Sequence, residues 1–406
     1  MEGRAGPDRT VDSAERRIIL YTNLGHALVH GVEATYGALL IRIQLDLGGS
    51  DAFMGAVASV FGWAFGATAL PSGFLSDRLG PHRVLALTFA LATVASILVA
   101  LSGTPWMLAT SMGLLGLAVG LYHPAGTTLI AHGVQRRGLG MGYHGVAGNL
   151  GMAIAPAVAG GLAVLADWRA AYFMLAALAA LLTVWATRVA SGVTASPSRQ
   201  EDVSPVRPRF SSGLLVGLVM VYLVSVLTGL VYRGSLTFLP SHIHDRVSED
   251  LSESLTTLAL LTGAAGQYVG GLLTQRMGLE RLAVLVTGLA VPPLALMGIV
   301  TGMPLVALAA VFIFFNFAGQ PVFNTLIAEY TPWRFVGRSF GLSYLAGFGI
   351  GGTGGVIAGV LVERWDTGVA FLGMAAIWLL ALLAALVLPF LTVREPLPMA
   401  RDRQPA

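Results

Sequence analysis

The sequence contains no cysteine and no lysine, so that all 24 of its strongly basic residues are arginines. Without cysteine the chain can form no disulfide and no thiolate-based metal or catalytic centre. Without lysine it has no Gly-x-x-x-x-Gly-Lys loop to bind nucleotide phosphates. Charged residues make up only 11% of the chain, against about 25% in ordinary globular domains. These absences exclude a water-soluble enzyme, and they leave the chain without a recognisable ATP site.

Apolar residues are what the sequence has in abundance. They account for 55% of the chain, and the mean hydropathy is +0.75. A membrane-spanning helix needs about 20 mostly apolar residues, and twelve such runs follow one another between residues 18 and 392. The sequence therefore predicts an all-α membrane protein with twelve transmembrane helices. The first run is too long for the core of a signal peptide, so we expect no cleaved leader.

The arginines predict the orientation of these spans. Most of them lie in the N-terminal tail, in the middle linker, in the C-terminal tail and in alternate loops. Cytoplasmic loops hold an excess of basic residues, so both termini are expected on the cytoplasmic side of a cell (inner) membrane. This bias, together with attraction to anionic lipid, accounts for the basic pI of about 9.4 without a nucleic-acid partner. No feature predicts an oligomer, and we expect a monomer in the lipid bilayer.

Two sequence motifs occur twice. GFLSDRLG at Gly73 to Gly80 returns as GLLTQRMG at Gly271 to Gly278, and HPAGTTLIA at His123 to Ala131 returns as QPVFNTLIA at Gln320 to Ala328. Repeated halves around a central path are a common plan of membrane transporters. The repeat predicts two pseudo-symmetric six-helix halves. The expected segments are a cytoplasmic tail (1–17), a first half (18–190), a cytoplasmic linker (191–211), a second half (212–392) and a cytoplasmic tail (393–406).

The repeated loop resembles the signature between the second and third helices of the major facilitator superfamily. The matching residues are Gly73, Asp77, Arg78, Gly80 and Arg83 in the first copy, and Gln275, Arg276 and Gly278 in the second. The resemblance spans the chain and implies transport by alternating access, in which the two halves rock around a central site. It also implies that the loop stabilises one conformation across the half interface. Because Gln275 replaces the acid, the first copy is expected to be the stronger latch.

The fifth predicted span carries a second resemblance. Gly151, Ala155, Pro156 and Gly160 are similar to the glycine and proline pattern of drug/proton antiporters in this superfamily. Small residues let two membrane helices approach closely, and a proline bends the helix where neighbours satisfy the freed carbonyl. The motif therefore favours export of a compound. Ordinary packing of small residues is the alternative interpretation.

A more local match is similar to the fosmidomycin resistance branch of the superfamily. It comprises HPAG at His123 to Gly126, RRGL at Arg136 to Leu139, GNLGMAIAP at Gly148 to Pro156, and the pair Gly25 and His26. That branch usually has an acid where Ala125 stands here, and an Asp in the first helix where His30 stands. Its substrate and its proton carrier therefore do not transfer to this chain.

The first predicted span has a polar stripe. Asn23, His26, His30 and Glu33 are three, four and three residues apart, which places them on one face of a helix. Glu33 is the one carboxylate inside the predicted spans, and ionisable groups at that depth usually line a cavity or a proton path. We therefore predict Glu33, His26 and His30 as the proton-coupling site, with Asn23 facing the substrate. Zinc binding, with His123 and His144 recruited, is the rival hypothesis, but no second acid in the spans completes a ligand shell.

Further residues are predicted to bind the substrate. Aligning the two halves places Arg233 opposite Tyr36, about one turn outward of the level of Glu33, where it can bind an anion, pair with Glu33 or extend to the membrane surface. The remaining candidates are polar residues of other spans, namely His123, Asn149, Asn316, Gln320, Asn324 and Tyr344.

The functional prediction is a proton-coupled exporter of a small organic or drug-like compound, with no cofactor and no enzymatic activity. A proton symporter that imports an organic anion is the alternative. A metal-cation transporter and a non-transporting membrane protein rank below both.

Overall fold

The computed structural model describes residues 13–134, 137–189, 212–331 and 336–391. Helices account for nearly all of them, and these residues contain no strand. In the first half the helices are α1 (Ser13–Leu47), α2 (Asp51–Leu79), α3 (Pro81–Ala100), α4 (Pro105–Gly120), α5 (Tyr122–Gly133), α6 (Arg137–Leu165) and α7 (Trp168–Val189). In the second half they are α8 (Ser212–Arg246), α9 (Ser252–Leu273), α10 (Leu279–Met297), α11 (Met303–Tyr330), α12 (Val336–Tyr344), α13 (Gly354–Arg364), α14 (Thr367–Ala385) and α15 (Leu388–Leu391).

Some sequence predictions fall outside this description. The linker 191–211, the C-terminal tail 393–406 and most of the N-terminal tail 1–17 are among the residues not described. Arg136 and the side chain of Asp77 also lie outside it, and so do the side chains of Arg137 to Leu139.

The helices combine into the twelve spans that the sequence predicts. α4 and α5 form one span with a break at Leu121, and α12 and α13 form another through a π-helical turn (Leu345–Gly349) and a 3-10 turn (Ile350–Thr353). Ten spans are long and apolar enough to cross a membrane by length and composition. The other two, α1 and α9, have membrane length but carry polar residues such as the α1 stripe. The predicted all-α membrane fold is confirmed.

Successive spans run in opposite directions, so each connection lies at one of two ends of the molecule. We call one the α1–α2 end, where residues 48–50 join these helices, and the other the termini end, where α1 begins. Within the halves, α1 packs on α6 and α9 packs on α11. Between the halves, α2 packs on α13 and α6 packs on α9, with α1 also touching α8.

Glycines close the interface between the halves at the α1–α2 end. A Cβ added to Gly55 would overlap the carbonyl of Gly355, and one added to Gly359 would overlap the carbonyl of Asp51. Small residues at such positions let helix backbones touch. At the termini end, a Cβ on Gly73 or Gly271 would meet nothing within 4 Å, and the same is true of Gly142. Close backbone contacts between the halves are therefore found at the α1–α2 end, and these three glycines at the termini end take no part in such contacts.

The two copies of the repeated loop differ in backbone conformation. Gly80 joins α2 to α3 with φ +83, a value that favours glycine over other residues, and its N–H donates to the carbonyl of Ser76 at 3.0 Å. Gly278 in the second copy has φ −62, which any residue adopts. The first turn therefore requires its glycine and the second does not.

Candidate functional site

A cavity of about 310 Å³ lies between the two halves. The first half lines it with His26, His30, His123, Thr127, Met141, His144, Gly145 and Asn149. From the second half come polar residues, namely Ser225, Thr228, Tyr232, Gln267, Asn316, Gln320, Asn324 and Tyr344, together with aromatic rings such as Phe315, Phe323 and Phe348. No arginine, aspartate or glutamate belongs to this described lining, so histidines are its only groups able to carry a positive charge.

A buried ion pair joins the halves beside this cavity. Arg233 on α8 donates from Nη2 to Oε1 of Glu33 on α1 at 2.7 Å, and the two side chains are 5% and 0% exposed. The Tyr232 hydroxyl donates to the other carboxylate oxygen, Oε2, at 3.1 Å. Of the three roles considered for Arg233, the structure shows the pairing with Glu33. Burial of two charges is costly unless they are paired and hydrogen-bonded, as they are here.

Two histidines extend this pair into the cavity. His30 Nδ1 lies 3.0 Å from Oε2 of Glu33, and His30 Nε2 lies 3.1 Å from Nε2 of His26. His26 Nδ1 in turn lies 2.6 Å from the carbonyl oxygen of His144. The spacing of α1 places the three side chains one turn apart, and α6 supplies the carbonyl because it packs along α1.

The row of hydrogen bonds from Glu33 through His30 and His26 to the His144 carbonyl needs one additional proton. Its two ends, the Glu33 carboxylate and the His144 carbonyl, are both acceptors, and three hydrogen bonds lie between them. Two neutral imidazoles supply two hydrogens in total. All three bonds form only when one further proton resides on His26, on His30 or on Glu33. The array is therefore a site where one proton can be held.

Two more imidazoles complete a four-histidine cluster. The His144 ring stacks on His26 with centroids 3.9 Å apart, and His123 makes edge contacts with His26 and His30 at 5.1 and 5.3 Å. His26, His30 and His123 each offer a nitrogen within 4.8 Å of the others, so a metal ion can reach three ligands. Hydrogen bonds account for the ring nitrogens of His26 and His30. Nε2 of His123 and both ring nitrogens of His144 are buried without a hydrogen-bond partner.

The predicted substrate residues divide into two groups. The structure brings His123, Asn149, Asn316, Gln320, Asn324 and Tyr344 onto the lining of one cavity. Asn23 and Arg233 are not on that lining, which corrects the expectation for Asn23 in particular. Asn23 shares a helix face with His26, and the cavity begins one turn later, at His26.

Sequence reasoning missed two residues of the site. Tyr232 donates to Glu33, and Phe348 stacks near His123 with a centroid distance of 6.2 Å. Tyr232 is adjacent to Arg233 in sequence, and Phe348 follows Tyr344 by four residues, so both stand next to predicted positions. An aromatic residue in a membrane span is too common for this signal to be read without the packing.

An amide pair links the halves at the level of the cavity. The side-chain nitrogen of Asn149 on α6 donates to the side-chain oxygen of Gln267 on α9, and also to the Gly145 carbonyl at 3.2 Å. Further toward the α1–α2 end, the Ala157 N–H donates to Oγ1 of Thr257 at 3.0 Å. The α6 and α9 helices therefore stay in contact from the cavity to the closed end.

The α6 motif lies in this contact region. A Cβ on Gly151 would overlap the carbonyl of Ala27 on α1, and one on Gly160 would lie 2.8 Å from the Glu253 side chain on α9. α6 continues as a helix through Pro156, and Ala155 is half-buried. These contacts are those of close helix packing. The repeated loops, by contrast, expose Arg78, Arg83, Gln275 and Arg276 at the termini end.

Two helical halves that touch at one end and enclose a polar cavity are the arrangement of an alternating-access membrane transporter. The sequence profile of the Major Facilitator Superfamily matches residues 22–255 and 221–405. The chain belongs to this superfamily. It is thus an integral, multi-pass membrane transporter and not an enzyme.

Curated relatives cover most of the chain. A probable sulfoacetate transporter of Cupriavidus necator is 26% identical over 91% of this chain and 92% of that protein. A gallate transporter of Pseudomonas putida is 27% identical over 81% and 82%, respectively. A probable L-galactonate transporter of Escherichia coli is 25% identical over 58% of this chain and 56% of that protein. These names do not support the placement in the drug/proton antiporter and fosmidomycin resistance branch.

Solved structures share the fold at low sequence identity. A bacterial homologue of the human lysosomal transporter Spinster, in an inward-facing and occupied conformation, has a TM-score of 0.75 at 12% identity, over 94% of this chain and 98% of that one. A D-xylose–proton symporter has a TM-score of 0.74 at 17% identity, over 93% and 97%, respectively. At these identities the likeness shows the fold alone.

Proposed function

We propose that this protein carries a small organic anion across the membrane together with a proton. The observation that carries the proposal is the array from Arg233 through Glu33, His30 and His26 to the cavity, which needs one added proton to complete its hydrogen bonds. Sulfoacetate, gallate and L-galactonate, the compounds in the relatives' names, are all small organic acid anions. Symport of an organic anion, the alternative considered from the sequence, is therefore proposed in place of drug export.

Charge balance supports joint binding of the proton and the anion. Glu33 and Arg233 neutralise each other, so the array with its added proton has a net charge of +1. The lining holds no arginine among the described residues, and an anion entering the cavity is therefore attracted only once the proton is bound. The charges of Glu33 and Arg233 are buried, and buried charges are screened less than exposed ones. The protonated array and the anion stabilise each other.

The conformation is consistent with release of an imported substrate on the side of the termini. Close contacts between the halves lie at the α1–α2 end, while the cavity lining continues toward the termini end through Met141, Asn324 and Ile327. With the termini in the cytoplasm of a cell (inner) membrane, as the arginine distribution predicts, the cavity opens inward. The domain boundaries predicted from the sequence, the monomeric state and the absence of a nucleic-acid partner remain part of this proposal.

Proton-coupled export is the second candidate function. The Gly151 to Gly160 motif favours it, because this segment of α6 makes close contacts with both α1 and α9. An exporter and an importer differ in one measurable respect, namely the direction in which protons move relative to the substrate.

The test uses the purified full chain in proteoliposomes that contain a pH-sensitive dye. Addition of an organic acid such as sulfoacetate, galactonate or a benzoate is expected to move protons in the same direction as the anion. Movement in the opposite direction would establish antiport in place of symport. Absence of substrate-dependent proton flux with every acid would contradict the proposal.

Glu33→Gln tests the proton site directly. An amide keeps the shape of the side chain but cannot ionise, so we expect loss of accumulation driven by a pH gradient while downhill exchange is retained. Glu249→Gln makes the same change at an exposed carboxylate and serves as the matched control. If Glu33→Gln still concentrates substrate, the coupling site lies elsewhere, and His123 is tested next.

A further inference from the structure

The cavity has an aromatic surface formed by rings outside the hydrogen-bonded array that runs from Arg233 to His26. The rings of His123, Tyr344 and Phe348 lie within 20° of parallel, with centroids 5.4 Å apart for His123 and Tyr344 and 5.9 Å apart for Tyr344 and Phe348. Tyr344 and Phe348 are only half-buried, and both line the cavity. Partly exposed rings in a polar cavity are a surface on which a flat apolar group gains contact.

Amide side chains lie on the same cavity. Asn316, Gln320 and Asn324 follow one another at four-residue steps on α11, so they share one helix face, and all three line the cavity. Each amide has both a donor and an acceptor, which is the pairing that a hydroxyl group satisfies. The second half therefore offers rings and hydroxyl-binding groups together, while the first half offers the imidazoles.

Size limits the ligand further. A cavity of about 310 Å³ is at the lower end of the range of roughly 300–1,000 Å³ found for small-molecule sites. A single substituted ring fits this scale better than a multi-ring drug does. The histidines are also the only described lining residues able to carry positive charge. The site therefore suits a ligand that carries one acidic group.

We propose that the substrate is a hydroxylated aromatic carboxylate. Its ring lies against Tyr344 and Phe348, its hydroxyls bond to the α11 amides, and its carboxylate is held toward the histidine cluster. This inference rests on the proposed anion and proton cotransport, and it adds the class of anion. An aliphatic sulfonate or sugar acid satisfies the charge of the site but leaves its rings uncovered.

The test compares acids of equal charge in proteoliposomes. 3,4,5-Trihydroxybenzoate, benzoate and cyclohexanecarboxylate are the probes, since the last keeps the size and the carboxylate but lacks the flat ring. We expect KM to rise in that order, by about three- to tenfold at each step, which is the range of one aromatic contact or one neutral hydrogen bond. Equal or better transport of cyclohexanecarboxylate would overturn the proposal.

Single variants assign the contacts. Tyr344→Leu and Phe348→Leu are expected to raise KM for the benzoates about three- to tenfold while changing KM for cyclohexanecarboxylate less than twofold. Asn316→Leu is expected to reduce the preference for trihydroxybenzoate over benzoate. Phe390→Leu, a ring that is 84% exposed on α15, is the matched control. Equal effects on aromatic and aliphatic acids would show a structural role for the rings and overturn the proposal.

Different outcomes would contradict the aromatic class of the substrate and the proposed cotransport itself. If sulfoacetate or galactonate drives proton flux and no aromatic acid does, the aromatic class is wrong and the proposed cotransport stands. If no organic acid drives proton flux, the proposed function itself is wrong.

Discussion

The two ends of the half interface are built differently. At the α1–α2 end, glycines bring α2 and α13 into backbone contact, and the Glu33–Arg233 pair closes the space behind the cavity. At the termini end, Gly73, Gly142 and Gly271 have no neighbour within 4 Å of an added Cβ. Alternating access requires the closed end to open and the open end to close. The glycine contacts and the ion pair at the α1–α2 end therefore stabilise the state in which this end is closed, and they must break in the other state.

The largest effect is expected from Arg233→Gln, which leaves Glu33 buried without its cation. Removing one partner of a buried pair costs about 3–5 kcal/mol, so thermal unfolding of the purified protein should shift strongly downward. Glu33→Gln in the same chain should partly restore stability, since it removes the unpaired charge. Arg42→Gln is the control, because the Arg42–Glu253 pair also joins the halves but Arg42 is 40% exposed. Equal shifts for Arg233→Gln and Arg42→Gln would contradict the argument.

Gly55→Ala is expected to open the α1–α2 end. The added methyl overlaps the Gly355 carbonyl, and overpacking of this kind costs about 1–3 kcal/mol in the closed state. Since the chain has no cysteine, Ala58→Cys introduces a single thiol whose accessibility can be measured. Ala58 lies on α2 at its contact with α13 and is 2% exposed. Alkylation by an impermeant maleimide should accelerate at least fivefold in Gly55→Ala.

Gly142→Ala is the matched control for that measurement, because its added methyl meets no neighbour. Acceleration by Gly142→Ala to the same degree would show that glycine removal acts generally and not through the contact between α2 and α13.

Asp77→Asn concerns the state in which the termini end is closed. We predict that the Asp77 loop stabilises that state, so the variant should slow transport by about fivefold, equivalent to ~1 kcal/mol, at normal abundance in the membrane. Gln275→Ala, in the second copy, should have a smaller effect. Unaltered transport by Asp77→Asn would contradict the prediction that this loop stabilises the state in which the termini end is closed.

The smallest effect is expected within one half, at Asp46 beyond the predicted first span. The hydrogen bond from the Trp168 indole and the ion pair with Arg169 lower the pKa of Asp46 from its ordinary value of 3.8. Its contribution is therefore present above this value and is lost as the pH falls through the lower folded pKa. Because the group is largely exposed, Asp46→Asn should cost less than ~1 kcal/mol at pH 6. The difference in unfolding temperature between the two proteins should narrow as the pH falls below 3.8, and a difference that does not narrow would contradict the assignment.

The fold could be predicted from the sequence because its signals are local. Apolar runs of membrane length and the repeated loop at Gly73 and Gly271 determine the number of spans and their division into halves. The irregular turns after α12 have no comparable local signal, since a glycine-rich stretch fits several backbone paths. They depend on packing against α2 and α8.

The candidate site was predictable in part. The spacing of His26, His30 and Glu33 along one helix places them together whatever the rest of the molecule does. The partner of Glu33 is 200 residues away in sequence, and aligning the halves offered the pairing with Arg233 as one of several options. The stacking of His144 on His26 required the register of α6 against α1, which the sequence alone does not specify.

The change of helical pitch between α12 and α13 has a mechanical consequence. Leu345–Gly349 is a π-helical turn and Ile350–Thr353 a 3-10 turn, and such interruptions are common where a helix bends during function. Tyr344 precedes these turns and Phe348 lies within the π-helical turn, while Gly352 in the 3-10 turn and Gly355 in α13 lie against α2. The proposed aromatic substrate would therefore lie against the same span that contacts α2 at the closed end. Through this span, binding in the cavity and opening of the closed end would be mechanically connected.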